Sequence, residues 1–379
     1  MEAQEKKLQN VIREFYPKFQ EQVVKDFAHL LAGNIKQVQK SIVSKANKPP
    51  VDVNHQEQVV CLGTGFDWLH LPNFALIVNP VALDPVDPFV TQLKVLRGNW
   101  ENKRIPHEDG MLVMVSTSFH NVAHARHARL KAISLADFAQ DIIEKQFPDL
   151  VEAGLQMIVG TMNEATRLFM PVDEKVFREF SKSDYVAPKE LNKIGKFVLE
   201  HNKAQYDEFI SPYNIRQREL YREDHPTQVM ALKCMDGRIH LPIATGMPMG
   251  VIQPMRNVGA KFNFGWKAFF DRVAEWVGEA REATPRRNCL ILSTYHFSKS
   301  NPHLGCAGHG YDTEAAKKNA EELVKQARYV FGEGDNFDVN VAVIGYNTDH
   351  DSIIIHGDAP DQIFDVEEMA KEMLQPELN

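Results

Sequence analysis

From Leu8 onward, apolar residues recur at helical spacing: Leu8, Ile12, Phe15, Phe19, Val23, Phe27, Leu30 and Leu31. The spacing predicts one or two amphipathic helices between about Glu5 and Lys45, ended by Lys48-Pro49-Pro50. The pattern then changes. Short apolar runs at Val59–Leu62 and Phe74–Val78 predict strands, and Met111–Ser116 is continuous and apolar, as a buried parallel strand would be. Leu135–Lys145 reads as a helix and Leu155–Val159 as another buried strand. From Asp173 to Arg222 the chain turns helical and charged, broken at Ser211-Pro212. A second mixed region predicts strands at Val229–Leu232, Gly250–Ile252, Leu290–Ser293, Val339–Ile344 and Ser352–Ile355, with helices at Trp266–Ala280 and Thr313–Phe331. Strands alternating with helices predict an α/β fold with mostly parallel sheets flanked by helices.

The two mixed regions resemble each other. Leu69-His70-Leu71-Pro72 answers Ile239-His240-Leu241-Pro242, and Val113-Met114-Val115-Ser116-Thr117 answers Leu290-Ile291-Leu292-Ser293-Thr294. Ile158-Val159-Gly160 answers Val343-Ile344-Gly345. Each region follows a helical arm. The expected organisation is an internal duplication: a helical arm over residues 1–50, a first repeat over 51–175, a second arm or linker over 176–225, and a second repeat over 226–379.

Composition narrows the function. A chain of 379 residues with 44% hydrophobic residues is long enough for roughly two globular domains. The net charge of −8 shows no basic excess, which argues against nucleic acid as a partner. No apolar run approaches the roughly 18 residues of a membrane span, and the start, Met1-Glu2-Ala3-Gln4-Glu5, has no secretory pattern. Four cysteines, Cys61, Cys234, Cys289 and Cys306, do not look like a disulfide framework. The expectation is a cytoplasmic protein whose thiols are available as ligands.

Candidate chemistry lies in the second repeat. Cys234-Met235-Asp236-Gly237-Arg238 follows a predicted strand, and His303-Leu304-Gly305-Cys306-Ala307-Gly308 follows another strand and a loop. Two thiolates and one imidazole suit zinc, and three protein ligands leave a position for water. His303 and Cys306 are three apart, so one turn can aim both at one ion. Asp236 is two residues past a ligand in an extended stretch and shares its side; Arg238, two further on, offers a fork suited to a carboxylate. Unrelated buried cysteines, a structural zinc, or a plain surface ion pair would use the same residue types.

The order C-x-D-x-R, then H-x-x-C-x-G, resembles the β-class carbonic anhydrases. Arg256-Asn257 and Val343-Ile344-Gly345-Tyr346 agree with the same pattern, and the resemblance covers about Ala187 to Asp358. It implies a zinc-dependent carbonic anhydrase that hydrates carbon dioxide reversibly to bicarbonate. Cys234, His303 and Cys306 would be the ligands of one Zn2+ per chain. Asp236 would accept a hydrogen bond from zinc-bound hydroxide, and Arg238 would hold Asp236. Three departures touch the pocket's shape: Ala307 and Pro302 replace glycines, and Tyr295–Pro302 reads as an insertion. Carbon disulfide and carbonyl sulfide hydrolases share the scaffold, and a catalytically silent bicarbonate-binding or scaffold protein is a third reading. The longer loop also resembles the carboxysomal branch, whose chains pair an active domain with a degenerate one. The resemblance allows a homodimer or higher homo-oligomer and association with a carboxysome.

The first repeat lacks these ligands. Aligned through His-Leu-Pro, Thr64, Phe66 and Trp68 stand opposite Cys234, Asp236 and Arg238, so Phe66 and Trp68 are expected to fill a dry pocket. His120, His124 and His127 read as a solvated turn. His240, His296, His309 and His350 read as hydrogen-bonded structural residues, with His296 or His309 alternatively shuttling protons. Tyr311 and Asp312 are expected to cap the helix that follows, and Gln253 to line the pocket.

Overall fold

Two apolar stretches, Leu112–Phe119 and Cys289–Phe297, form central strands of two separate sheets. The computed structural model of the chain describes residues 2–46, 58–66, 75–78, 86–172, 190–236, 238–283, 286–332 and 339–378. Phe74, Trp68 and His70-Leu71-Pro72 of the predicted pattern lie outside the described residues, as does the stretch from Asp173 to Lys189. The chain divides into two units. One holds residues 1–52, 215–234 and 239–379; the other holds 53–214 and 235–238. Among the described residues, no helix is long and apolar enough to cross a membrane.

In the unit formed by 53–214, the sheet contains β1 (Val59–Gly63), β2 (Ala75–Val78), β3 (Leu112–Phe119), β4 (Gln156–Asn163) and β5 (Leu168–Pro171), in the order β2-β1-β3-β4-β5. All pairings are parallel except β4 with β5. Helix α4 (Ala125–Gln146) covers β3 and β4 through a stripe of Ala128, Ala132, Ala136 and Ala139. Small residues at this helical spacing let helix and sheet approach closely. Helix α3 (Val86–Glu101) lies on β1 and β2. Helix α6 (Lys193–Phe209) is capped by Asn192, whose Oδ1 accepts from Gly195 N at 2.9 Å, and packs on β5.

The other unit has β6 (Gln228–Cys234), β7 (Ile252–Asn257), β8 (Cys289–Phe297), β9 (Val339–Asn347), β10 (Ser352–His356) and β11 (Ile363–Asp365), in the order β7-β6-β8-β9-β10-β11. Strands β7, β6, β8 and β9 pair in parallel, and β10 and β11 are antiparallel. Every residue of β8 and β9 is buried, as the continuous apolar pattern requires. Helix α10 (Thr313–Phe331) packs on both; Asp312 caps it, accepting from Ala315 N at 3.0 Å. Helices α1 (Glu2–Phe15) and α2 (Glu21–Ala46) belong to this unit. Helix α2 packs on α8 (Leu241–Thr245), β10 and α11 (Val366–Leu378). The first arm therefore joins the sheet that comes later in the chain, not the one that follows it directly.

Several elements extend beyond their apolar signals. Strand β8 continues through Tyr295-His296-Phe297, past the predicted end at Ser293, because Thr, Tyr and Phe favour strands even around a histidine. The supposed insertion at Tyr295 therefore begins three residues later, after Phe297. Helices α3 and α11 and strand β5 were not evident from apolar spacing.

Candidate metal centre

The metal-ligating candidates of the later sheet gather at the carboxyl ends of adjacent parallel strands, where α/β folds place their sites. Cys234 is the last residue of β6. His296 is next to last in β8, which pairs with β6 through Leu232 and Ser293. Cys306 follows the loop after β8 and precedes a short 3-10 turn, Ala307–His309. That turn crosses the turn after β7 closely: a Cβ on Gly308 would stand 2.6 Å from the Gly259 nitrogen. His309 Nε2 lies 2.9 Å from the Gly259 carbonyl, and Lys261 Nζ donates to the Gly308 carbonyl at 2.6 Å. Gly308 is thus required for the approach that brings Cys306 in.

One ligand atom from each of Cys234, His296 and Cys306 lies within 4.8 Å of the others. The three side chains are 5%, 1% and 3% exposed, so an ion here would be shielded from bulk water. The sulfurs of Cys234 and Cys306 stand 3.8 Å apart. The two thiols do not form a disulfide. Two sulfurs about 2.3 Å from one ion at the tetrahedral angle stand roughly 3.8 Å apart, so the spacing fits a zinc ion. Among the described residues this is the group that has metal-ligand geometry.

The imidazole in this group is His296, and His303, expected from the sequence as the third ligand, stands outside it. His303 lies in the exposed 3-10 turn Pro302–Leu304, with its ring edge-on to Tyr311 at 5.3 Å. The three-residue spacing to Cys306 suggested a shared turn. Pro302 and the Asn301 cap, which accepts from His303 N at 3.0 Å, instead close a turn of their own. His296, read from the sequence as structural or proton-shuttling, could have been found by extending β8 through its strand-forming residues to the sheet edge.

Asp236 and Arg238 follow Cys234 in the chain. Arg238 donates to Asp236 through Nε at 3.0 Å and Nη2 at 2.5 Å, a bidentate fork, and its backbone N donates at 2.9 Å. Charge-assisted bidentate pairs hold geometry better than single contacts. Two buried cations brace the base of this segment. Lys233 Nζ and Arg256 Nη2 both donate to the Ile239 carbonyl, at 2.9 and 3.1 Å, from paired positions on β6 and β7. The other cysteines lie elsewhere. Burial pushes the Cys289 thiol up to about 12, which keeps it protonated and unreactive. Gln253 is half-buried, the second residue of β7 and four residues short of its carboxyl end.

The earlier sheet offers no such group among the described residues. Past its β1, Phe66 is buried and stacked near Phe169 at 6.3 Å, and Thr64 Oγ1 accepts from Ser118 Oγ at 3.0 Å. His120, His124 and His127 are all exposed.

Residues 225–374 match the family model described as Carboxysome Shell Carbonic Anhydrase, catalytic domain. A carboxysome shell carbonic anhydrase of Prochlorococcus marinus subsp. pastoris is 33% identical over 150 residues, which cover 35% of this chain and 28% of the relative. One from Hydrogenovibrio crunogenus is 30% identical over 139 residues, 32% of this chain and 25% of the relative. The chain thus matches about a quarter of the length of these relatives. Among solved structures, the β-carbonic anhydrase CcaA aligns over 41% of this chain and 94% of its own at 13% identity, with a TM-score of 0.27. The matched stretch from 225 to 374 is the one that contains Cys234, His296 and Cys306.

Proposed function

We propose that this chain is a zinc-dependent carbonic anhydrase that hydrates carbon dioxide reversibly to bicarbonate, with Cys234, His296 and Cys306 as the ligands of one zinc ion. The observation that carries this reading is the buried Cys-His-Cys group inside the stretch that matches a carbonic anhydrase catalytic domain. A zinc ion held by these three residues would supply Lewis-acid activation of a water molecule near neutral pH. Asp236 would accept a hydrogen bond from the reacting water and so orient it toward carbon dioxide. Arg238 holds Asp236 in place through its bidentate fork. The relatives' names place them at a carboxysome shell; to this chain we extend only the carbonic anhydrase chemistry that the matched stretch carries.

We also infer that the two sheets descend from one duplicated unit. Both have the order second-first-third-fourth strand in parallel, with an antiparallel strand beside the fourth. The earlier copy has apolar residues past its first strand where the later has the dyad, so one zinc per chain is expected.

The test is zinc quantitation with stopped-flow carbon dioxide hydration, comparing wild type with Asp236→Asn. One zinc per chain is expected in both. Asp236→Asn is expected to lose about 10²–10⁴-fold in kcat/KM, the range for a lost proton-handling group. Stoichiometric zinc in the wild type without hydration between about pH 7 and 9 would defeat this reading and favour a hydrolase or a silent binding protein on the same scaffold.

A further inference from the structure

Where an imidazole and a thiol are three residues apart, one turn can aim both at an ion. His296 and Cys306 are ten apart, and the loop between them must be held by something else. The structure shows what holds it. Asp349, in the turn joining β9 to β10, accepts four hydrogen bonds from three consecutive loop residues. Ser298 Oγ and Ser300 Oγ donate to Oδ1 at 2.6 and 2.9 Å; Lys299 N and Ser300 N donate to Oδ2 at 2.8 and 2.9 Å. The neighbouring Thr348 N donates to the Phe297 carbonyl at 2.9 Å. Lys299 Nζ continues outward to Asp365 at 2.8 Å and Glu367 at 3.3 Å. The loop then closes on itself: Asn301 N donates to Ser298 Oγ at 3.0 Å, and Asn301 Oδ1 accepts from His303 N.

We propose that Asp349 is a positioning residue for the metal centre, ordering the loop Ser298–Gly305 so that His296 and Cys306 stand at ligand spacing before an ion arrives. This rests on the zinc reading above. A slack loop must be ordered when the ion binds, and that entropic cost is subtracted from the ion's affinity. A loop already fixed to a carboxylate carries no such cost. Residues that orient ligands in this way typically change metal affinity by about ten- to a hundredfold when removed. Asparagine at 349 would keep the shape and one acceptor oxygen for the Lys299 and Ser300 N–H donors, but it replaces the oxygen that accepts from both serine hydroxyls with an amide nitrogen and removes the charge that strengthens all four bonds.

The experiment uses full-length protein loaded with zinc, and in parallel with Co2+, as wild type, Asp349→Asn and the double variant Ser298→Ala/Ser300→Ala. Zinc transfer to a chromogenic chelator gives the release rate; the visible Co2+ spectrum reports ligand geometry. Asp349→Asn is expected to release zinc about ten- to a hundredfold faster, with an altered Co2+ spectrum and unchanged far-ultraviolet circular dichroism. The double variant is expected to show a smaller acceleration of the same kind, and it decides the question alone if Asp349→Asn does not fold. Folded variants with wild-type release and spectrum would overturn the role of Asp349. A wild type that binds neither metal would overturn the zinc reading itself, and this inference with it.

Discussion

At the scale of single residues, the centre depends on which histidine faces the two thiols. His296→Ala is expected to reduce bound zinc to well below one per chain, whereas His303→Ala, exposed and outside the group, keeps it. Metal analysis after exhaustive dialysis distinguishes the two, and zinc loss in His303→Ala alone would reverse the assignment. The cluster Cys234, Asp236 and Arg238 was visible in the sequence because its spacing is local and falls at a strand end. The nearness of His296 to Cys306 was not, because a ten-residue separation carries no local signature and His303 stands only three residues from Cys306. A second residue sets a pH limit. Burial, with Lys317 adding to it, pushes His356 down to about 4 from an ordinary 6.5, and its Nε2 lies 2.8 Å from Tyr295 Oη. Between those values the unfolded chain binds a proton that the native chain refuses. Stability is therefore full above pH 6.5 and falls as pH drops toward 4, by on the order of 3 kcal/mol at full expression. Urea midpoints measured from pH 7 to 4 are expected to fall less steeply in His356→Gln; parallel slopes would assign the loss to other groups.

At the scale of elements, the arm formed by α1 and α2 is fixed by two adjacent residues. Asn34, fully buried, donates from Nδ2 to the Ala244 and Asp351 carbonyls at 2.7 and 2.8 Å and accepts from Ile353 N at 2.9 Å. Beside it, a Cβ on Gly33 would lie 2.0 Å from the Thr245 carbonyl oxygen. Alanine in place of a helical glycine gains about 1 kcal/mol of helix propensity, but overpacking against fixed backbone costs about 1–3 kcal/mol. At 2.0 Å the clash wins. Gly33→Ala is thus expected to destabilise the protein, and Asn34→Ala to cost about 3 kcal/mol through unpaired buried groups; chemical denaturation measures both, and a stabilised Gly33→Ala would show that the arm can shift without loss. The sequence made both helices legible through their 3.6-residue apolar spacing, and most strands through continuous apolar runs. It did not reveal what the arm packs on, because amphipathic spacing says that a face is buried without saying against which sheet. Helix α3 was missed because the polar residues Gln92 and Asn99 share the buried face with Phe89, Leu93 and Leu96 and dilute its apolar stripe.

At the scale of the whole molecule, the unit that holds the metal centre is discontinuous. Its arm comes from residues 1–52 and its sheet from beyond 215. A fragment of residues 215–379 lacks the helix that covers α8, β10 and α11, and is expected to be poorly folded alone and to recover cooperative unfolding when a peptide of residues 1–52 is added. A fragment that unfolds cooperatively near the full chain's midpoint without the peptide would show that the arm is dispensable. The same discontinuity has a consequence during synthesis. The arm leaves the ribosome before its partners β10 and α11, which lie about 300 residues later, a delay of about 15–60 s at ordinary elongation rates. For that interval α1 and α2 can cover each other, but the face of α2 that packs on β10 and α11 stays without its native cover.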